Sequence, residues 1–236
     1  MKFRNLFFIL FSLVFIAFSS SCKKDAISPD EIVQPNIGQK SQVAEKPSGL
    51  ANSSDENAQT CAGYFDQING IMDMLSMFEV PKNADLVDTK STGVWTWTWE
   101  EGGIEVWMTW TETDAKYTWE YEVDYLNQGR VRYLYAEENK DGSNGLLNVY
   151  SGYDDSAAIV YNWTYDNNEN LNFEMNFGSS LASLRIEANI NADGSGNYSY
   201  YFNSDLWYYV AWNLDGSGYY TYYDLFGGEF TWNWTV

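Results

Sequence analysis

From Gly93 to Tyr125 large apolar and polar residues alternate almost without a break. Trp95, Trp97 and Trp99 are followed by Ile104, Val106, Met108 and Trp110, then by Tyr117, Trp119, Tyr121, Val123 and Tyr125. Successive side chains of an extended chain point to opposite faces, so a period of two puts each set on one face of a strand. The pattern recurs at Tyr161, Trp163 and Tyr165, from Leu171 to Phe177, from Leu184 to Ile190, and at Phe230, Trp232 and Trp234, with Thr, Glu, Asn, Ser and Arg between. Eleven turn signals, from Glu101-Gly102-Gly103 to Gly227-Gly228, delimit about twelve strands. Links this short pair neighbours in sequence, which predicts an all-β antiparallel meander with one apolar face. Rings of this size fill a wide interior, so a barrel, a half-barrel, a curled sheet or two sandwiched sheets are the expected forms.

One segment changes period. Cys61, Tyr64, Phe65, Ile68, Ile71, Met72, Leu75 and Phe78 recur at steps of three and four, which predicts a single N-terminal amphipathic helix capped by Ser54 or Asp55 and closed by Pro81. Its apolar stripe is expected to dock on the sheet.

"NADGSGNYSYYF" from Asn191 and "NLDGSGYYTYYD" from Asn213 match at a period of 22 residues, and "NKDGSNGLLNVY" from Asn139 is a looser copy. That period is one hairpin, so the sheet reads as grown by hairpin duplication. The Asp-Gly steps predict type I′ turns. In the hairpin from Tyr117 to Glu137, a three-residue loop at Asn127-Gln128-Gly129 would pair Asp124 with Arg132 and Tyr121 with Tyr135, keeping Arg132 off the aromatic face.

The N-terminus carries an address. Lys2 and Arg4 precede an apolar run from Leu6 to Phe18, then Ser19, Ser20, Ser21 and Cys22. The run is too short to span a bilayer and ends at small residues, as a secretory signal peptide does. A cysteine directly after them resembles a bacterial lipoprotein signal, with Ser19 where that family usually has Leu. The resemblance covers about the first 25 residues and implies cleavage before Cys22, acylation of Cys22, and, with Lys23 next, passage to the outer membrane of the cell envelope. Acyl chains on Cys22 would then be the membrane contact. From Lys23 to about Glu56 the chain has no aromatic residue and three of its four prolines, the composition of a disordered tether. The expected organisation is thus 1–21 signal peptide, 22–56 acylated cysteine and tether, and 57–236 helix plus β-meander.

Charge and composition then exclude classes of function. Taking Lys2 and Arg4 from 13 basic residues leaves 11 against 33 acidic ones, a net charge of −22. Nucleic acid is not a partner for such a polyanion. Without histidine there is no imidazole base, ligand or triad. Cys61, the one cysteine besides Cys22, reads as a buried thiol. Glu105, Glu120, Glu122, Asp124, Glu174 and Glu187 supply carboxylates for glycoside chemistry, but a solvated sheet face accounts for them. Asn189, Asn191, Asp193, Ser195 and Asn197 have calcium-loop spacing with Tyr200 at the closing position, and read as a hairpin turn. No metal or other cofactor and no catalysis are expected.

Alternation fails at Tyr200-Tyr201, Trp207-Tyr208-Tyr209, Tyr219-Tyr220 and Tyr222-Tyr223, which puts aromatics on both faces of the C-terminal strands. Tyr201, Trp207, Tyr209, Tyr220 and Tyr222 are therefore the candidate ligand-binding residues. The leading expectation is a membrane-anchored, non-catalytic module that binds glycan or protein. The alternative is an apolar-ligand carrier, a half-barrel gated by the helix around a lipid. A transmembrane barrel comes third, since no set of longer loops marks one side.

Overall fold

The computed structural model describes residues 46–56, 58–63, 65–66, 79–91, 93–125, 128–151, 156–179, 182–224 and 226–235. Thirteen strands follow one another in a single antiparallel sheet: β1 (Asp85–Ser91), β2 (Val94–Glu101), β3 (Ile104–Glu112), β4 (Lys116–Tyr125), β5 (Val131–Asn139), β6 (Asn144–Tyr150), β7 (Ala157–Tyr165), β8 (Leu171–Ser179), β9 (Ala182–Ile190), β10 (Gly196–Phe202), β11 (Asp205–Trp212), β12 (Gly218–Tyr223) and β13 (Glu229–Trp234). Each strand pairs only with its sequence neighbours, so the all-β meander is one open sheet with β1 and β13 at its edges. The closed barrel and the sandwich fall away among the forms expected. Strands β2 to β13 are the twelve that the turn signals delimit. β1 is additional, and two register shifts interrupt its pairing with β2, which is why no clean alternation announced it.

The apolar face is buried as one cluster that runs from Trp97 and Trp99 on β2, through Met108, Trp119, Leu134, Trp163, Met175 and Ile186, to Val210 and Tyr220. Against its C-terminal part sits the segment that precedes the sheet. Residues 58–63 and 65–66 are helical, and Ala58, Cys61, Ala62 and Phe65 enter the same core. Asp55 caps this helix as expected, its Oδ1 accepting from the Ala58 N–H at 3.0 Å. Phe65 meets Tyr198 and Trp212 edge-on at 5.1 and 5.0 Å between ring centroids, and the Tyr198 hydroxyl donates to the Cys61 carbonyl at 2.7 Å. Tyr64 and the stripe residues from Ile68 to Phe78 lie outside the described residues.

Residues 46–56, assigned to the tether on composition, belong instead to the folded unit. The short helix α1 (Ser48–Ala51) buries Leu50 completely, and Lys46 pairs with Asp66 at 2.7 Å. Composition missed this because a single leucine anchors the segment. Gly49 completes the fit, since a Cβ there would lie 2.3 Å from the Trp234 ring.

Two local expectations are corrected. First, at the Asp-Gly steps only the glycine takes positive φ, 88° at Gly194 and 81° at Gly216, with Gly194 N–H bonding to the Asn191 carbonyl and Asn191 N–H to the Ser195 carbonyl. These are three-residue loops, a type I turn closed by a left-handed glycine. Among the described residues, the two-residue turns with positive φ at both positions are Gly102-Gly103 and Asn203-Ser204. Second, β4 and β5 pair out of the expected register, by one residue at Tyr121 and by two at Arg132. Leu134 faces Tyr121, Tyr135 faces Glu120, and Arg132 faces Glu122. A bulge leaves Tyr133 as an extra residue, so Tyr133 and Leu134 both turn to the core, with the Tyr133 ring 6.4 Å from Tyr121. Arg132 remains on the polar side, 2.5 Å from Glu120, as expected.

The hairpin repeat has a physical core. Gly196, Gly218 and Gly145 each face a tryptophan on the next strand, Trp212, Trp234 and Trp163, whose ring roofs the glycine. A Cβ at these glycines would come 2.8, 2.4 and 2.0 Å from the respective indoles. Bare glycine backbone in a strand is covered by a cross-strand aromatic, which restores the packing that glycine lacks. In the two faithful copies the indole N–H also donates back to the preceding turn, Trp212 to the Gly194 carbonyl at 2.7 Å and Trp234 to the Gly216 carbonyl at 2.8 Å.

Candidate functional site

Alternation and one bulge decide which C-terminal rings face away from the core. Gly196, Tyr198 and Tyr200 are buried on β10, so Asn197, Ser199 and Tyr201 face outward. Tyr208, Val210 and Trp212 are buried on β11, which turns Tyr209 outward, and Tyr220 inward on β12 turns Tyr219 and Tyr223 outward. Register places Tyr201 opposite Arg185, Ser199 between Glu187 and Tyr209, and Tyr209 opposite Thr221. The result is a tyrosine face with a polar border.

Its members are held by one another. The Arg185 guanidinium lies 4.1 Å over the Tyr201 ring and 3.0 Å from Glu187, whose Oε2 accepts from the Tyr201 hydroxyl at 3.3 Å. Tyr209 and Tyr219 have ring centroids 5.9 Å apart. Burial first, then the Tyr219 hydroxyl, raises the pKa of Tyr209. Burial first, then the Glu229 carboxylate, raises that of Tyr223. Both hydroxyls are therefore protonated donors at neutral pH.

Of the five expected ligand-binding residues, the structure brings Tyr201 and Tyr209 to this face and sends the other three to the core side. Trp207 is the extra residue of a bulge, because Tyr200 pairs with Tyr208 and Tyr201 with Leu206, and its ring packs 5.1 Å from Phe202. Tyr222 stacks with Phe230 and lies 5.2 Å from Tyr208. Tyr220 is buried, and its hydroxyl donates to Asp55, which ties the helix cap to the sheet. Tyr219, Tyr223 and Arg185 were not singled out as ligand-binding residues, and Glu187 was named only among the solvated carboxylates. Counting by twos from Gly218, which Trp234 must roof, would have found the first two.

The other candidates are placed as follows. Glu174 faces Glu187 across β8 and β9, Glu105 faces Asp124 across β3 and β4, and Glu120 and Glu122 neighbour Arg132. Glu174 accepts from the Asn176 amide at 2.5 Å. In the calcium-like loop, Asp193 accepts from the Ser195 N–H and hydroxyl, and Asn189 donates to Asn197. Among the described residues no three His, Cys, Asp or Glu side chains are grouped to hold a metal ion. Cys61 is buried in the core, and burial pushes its thiol up to about 12. Cys22 lies outside the described residues. The chain matches no protein-family model and no curated protein.

Proposed function

We propose that the chain is a membrane-anchored lipoprotein, acylated at Cys22 and carried to the outer membrane, whose outward tyrosine face binds a glycan without catalysis. One observation carries the reading: Tyr201, Tyr209, Tyr219 and Tyr223 share the polar face of a rigid sheet, three of them half-buried and Tyr219 37% exposed. Flat rings with polar tips stack on the C–H face of a sugar while Arg185, Glu187 and Ser199 are at hand for its hydroxyls. Size favours a glycan over a protein. From β9 to β12 is about 14 Å, and from Tyr219 to Tyr223 about 14 Å along the strand. That patch, on the order of 200 Å², suits a few sugar rings and falls well short of the ~800 Å² per partner of a standard protein interface.

The apolar-ligand carrier has less support. A ligand pocket usually has about 300 Å³ or more, whereas the cleft between α1 and β13, lined by Leu50, Asp55, Tyr220 and Trp232, has about 90 Å³. A glycan array followed by calorimetry on the hits tests the glycan reading. Tyr209→Ala and Tyr219→Ala should abolish binding with the circular dichroism spectrum unchanged. Hits that survive both changes would show that the sugar binds elsewhere.

A further inference from the structure

The outer face seats its arginines on rings. Arg185 covers Tyr201, Arg132 lies 5.9 Å from Tyr135 and 5.7 Å from Tyr150, and Arg130 lies 3.8 Å from the centroid of Trp107. Arg185 and Arg132 also form ion pairs, with Glu187 and Glu120, whereas among the described residues Arg130 has the stack alone.

Trp107 is out of place for its face. It stands on the polar side of β3 between Glu105 and Thr109, yet it is only 7% exposed. The core does not need it, since Val106 and Met108 on the same strand fill the apolar face. Its surroundings are acidic. Glu122 is its partner across β4, and Glu105 beside it faces Glu100 on one side and Asp124 on the other. Like charges directly opposite one another in a sheet lower its stability. Asp124 accepts from the Gly129 N–H at 3.2 Å and Arg132 stands opposite Glu122, and an indole face beside carboxylates favours a positive charge placed over it. Arg130, from the residue before β5, already sits there.

We propose that Trp107 and its carboxylate surround are a receptor for an arginine or lysine side chain of a partner polypeptide, and that Arg130 occupies the receptor in the free protein. Charge points to the same occupant, since the exported chain carries −22 and the partner segment would be basic. The receptor lies seven strand steps from Tyr201, about 34 Å at the usual spacing, so it does not depend on the glycan site.

The test is calorimetric titration of the full chain with a capped tetra-arginine peptide and with a neutral peptide of equal length. Tetra-arginine should bind and the neutral peptide should not. Trp107→Leu leaves the charge unchanged and should weaken binding at least tenfold. Arg130→Gln removes the internal competitor and should tighten it about two- to fivefold, the equivalent of one exposed cation–π contact. Arg185→Gln removes the same charge six strands away and should change it by less than twofold. If Trp107→Leu does not fold, the comparison of Arg130→Gln with Arg185→Gln, both at surface positions, decides. Equal effects of these two, or wild-type binding by Trp107→Leu, would mean that diffuse negative charge holds the peptide, and would overturn the proposal. Binding of tetramethylammonium without binding of tetra-arginine would overturn it in favour of a choline headgroup.

Discussion

Three tryptophans roof three glycines, but only two of them place their N–H, and this difference is measurable. Trp163 is 1% exposed and its N–H finds no acceptor among the described residues, whereas Trp212, 6% exposed, donates to the Gly194 carbonyl at 2.7 Å. The reason lies in the turn. The residue two before the roofed glycine is Gly194 in the faithful copy and Ser143 in the loose one, where an extra residue, Asn144, extends the loop. The Ser143 carbonyl already accepts from the Tyr165 N–H at 2.7 Å. Phenylalanine at either position removes the N–H together with part of the ring.

The ring loss is common to both changes and costs roughly 1–3 kcal/mol. At Trp212 a hydrogen bond is lost as well, about 1 kcal/mol net, while at Trp163 a buried donor without a partner disappears, which relieves about 1–3 kcal/mol. Trp212→Phe should therefore be the more destabilising by about 2–4 kcal/mol. Trp163→Phe should be close to neutral. Urea unfolding of both variants, followed by far-UV circular dichroism at one protein concentration, gives the difference directly. Equal losses, or a larger loss at Trp163, would refute the assignment of the N–H bond to the repeat and leave ring packing as its only content.

Three further outcomes are expected. Glu169 holds a φ of 63° at the position that glycine fills in the other loops of this type. Glu169→Gly should therefore raise stability by about 0.5–1 kcal/mol, the left-handed cost less the added freedom of the unfolded chain, as read from the urea midpoint. Burial raises the pKa of Tyr121, Tyr161 and Tyr220, and lifts Tyr135, Tyr208 and Cys61 to about 12. A raised folded-state pKa contributes stability that is complete below the unfolded value and lost as pH rises through the folded one. The urea midpoint should hold up to about pH 9 and fall between about pH 9 and 12, and Tyr208→Phe should flatten the fall. Cys22→Ser should move the protein from the membrane to the soluble fraction, since no helix among the described residues is long and apolar enough to cross a bilayer; retention in the pellet would exclude acyl anchoring.

The sheet was legible because its signals are local and repeated. A period of two, a turn every ten residues and short links determine pairing between neighbours, and Trp97, Met108, Trp119, Trp163 and Met175 are core residues as the alternation required. Four things were not legible, three of them because a single residue decided the outcome. A single buried leucine, Leu50, joined residues 46–56 to the domain. One bulge residue, Tyr133, shifted the β4–β5 register and exchanged Leu134 for Tyr135 in the core, and another, Trp207, drew a candidate binding residue inward. Phe230 and Trp232 follow the alternation correctly but are 45% and 38% exposed, because β13 is an edge and sequence does not say which strand is last in a sheet.

The bulges also answer why so many aromatics sit side by side on the C-terminal strands. A bulge puts two consecutive residues on one face, so Trp207 and Tyr208 both reach the core while Tyr209 resumes the alternation and points out. Inward, Tyr198 and Tyr220 use their hydroxyls to hold the helix through the Cys61 carbonyl and Asp55. Outward, Tyr201, Tyr209, Tyr219 and Tyr223 have no such task, and their hydroxyls border a face lined by Arg185 and Glu187. One residue type thus fastens the helix on one side of the sheet and lines the proposed glycan face on the other. Removing Tyr220 should loosen the helix and leave glycan binding intact, whereas removing Tyr219 should do the reverse.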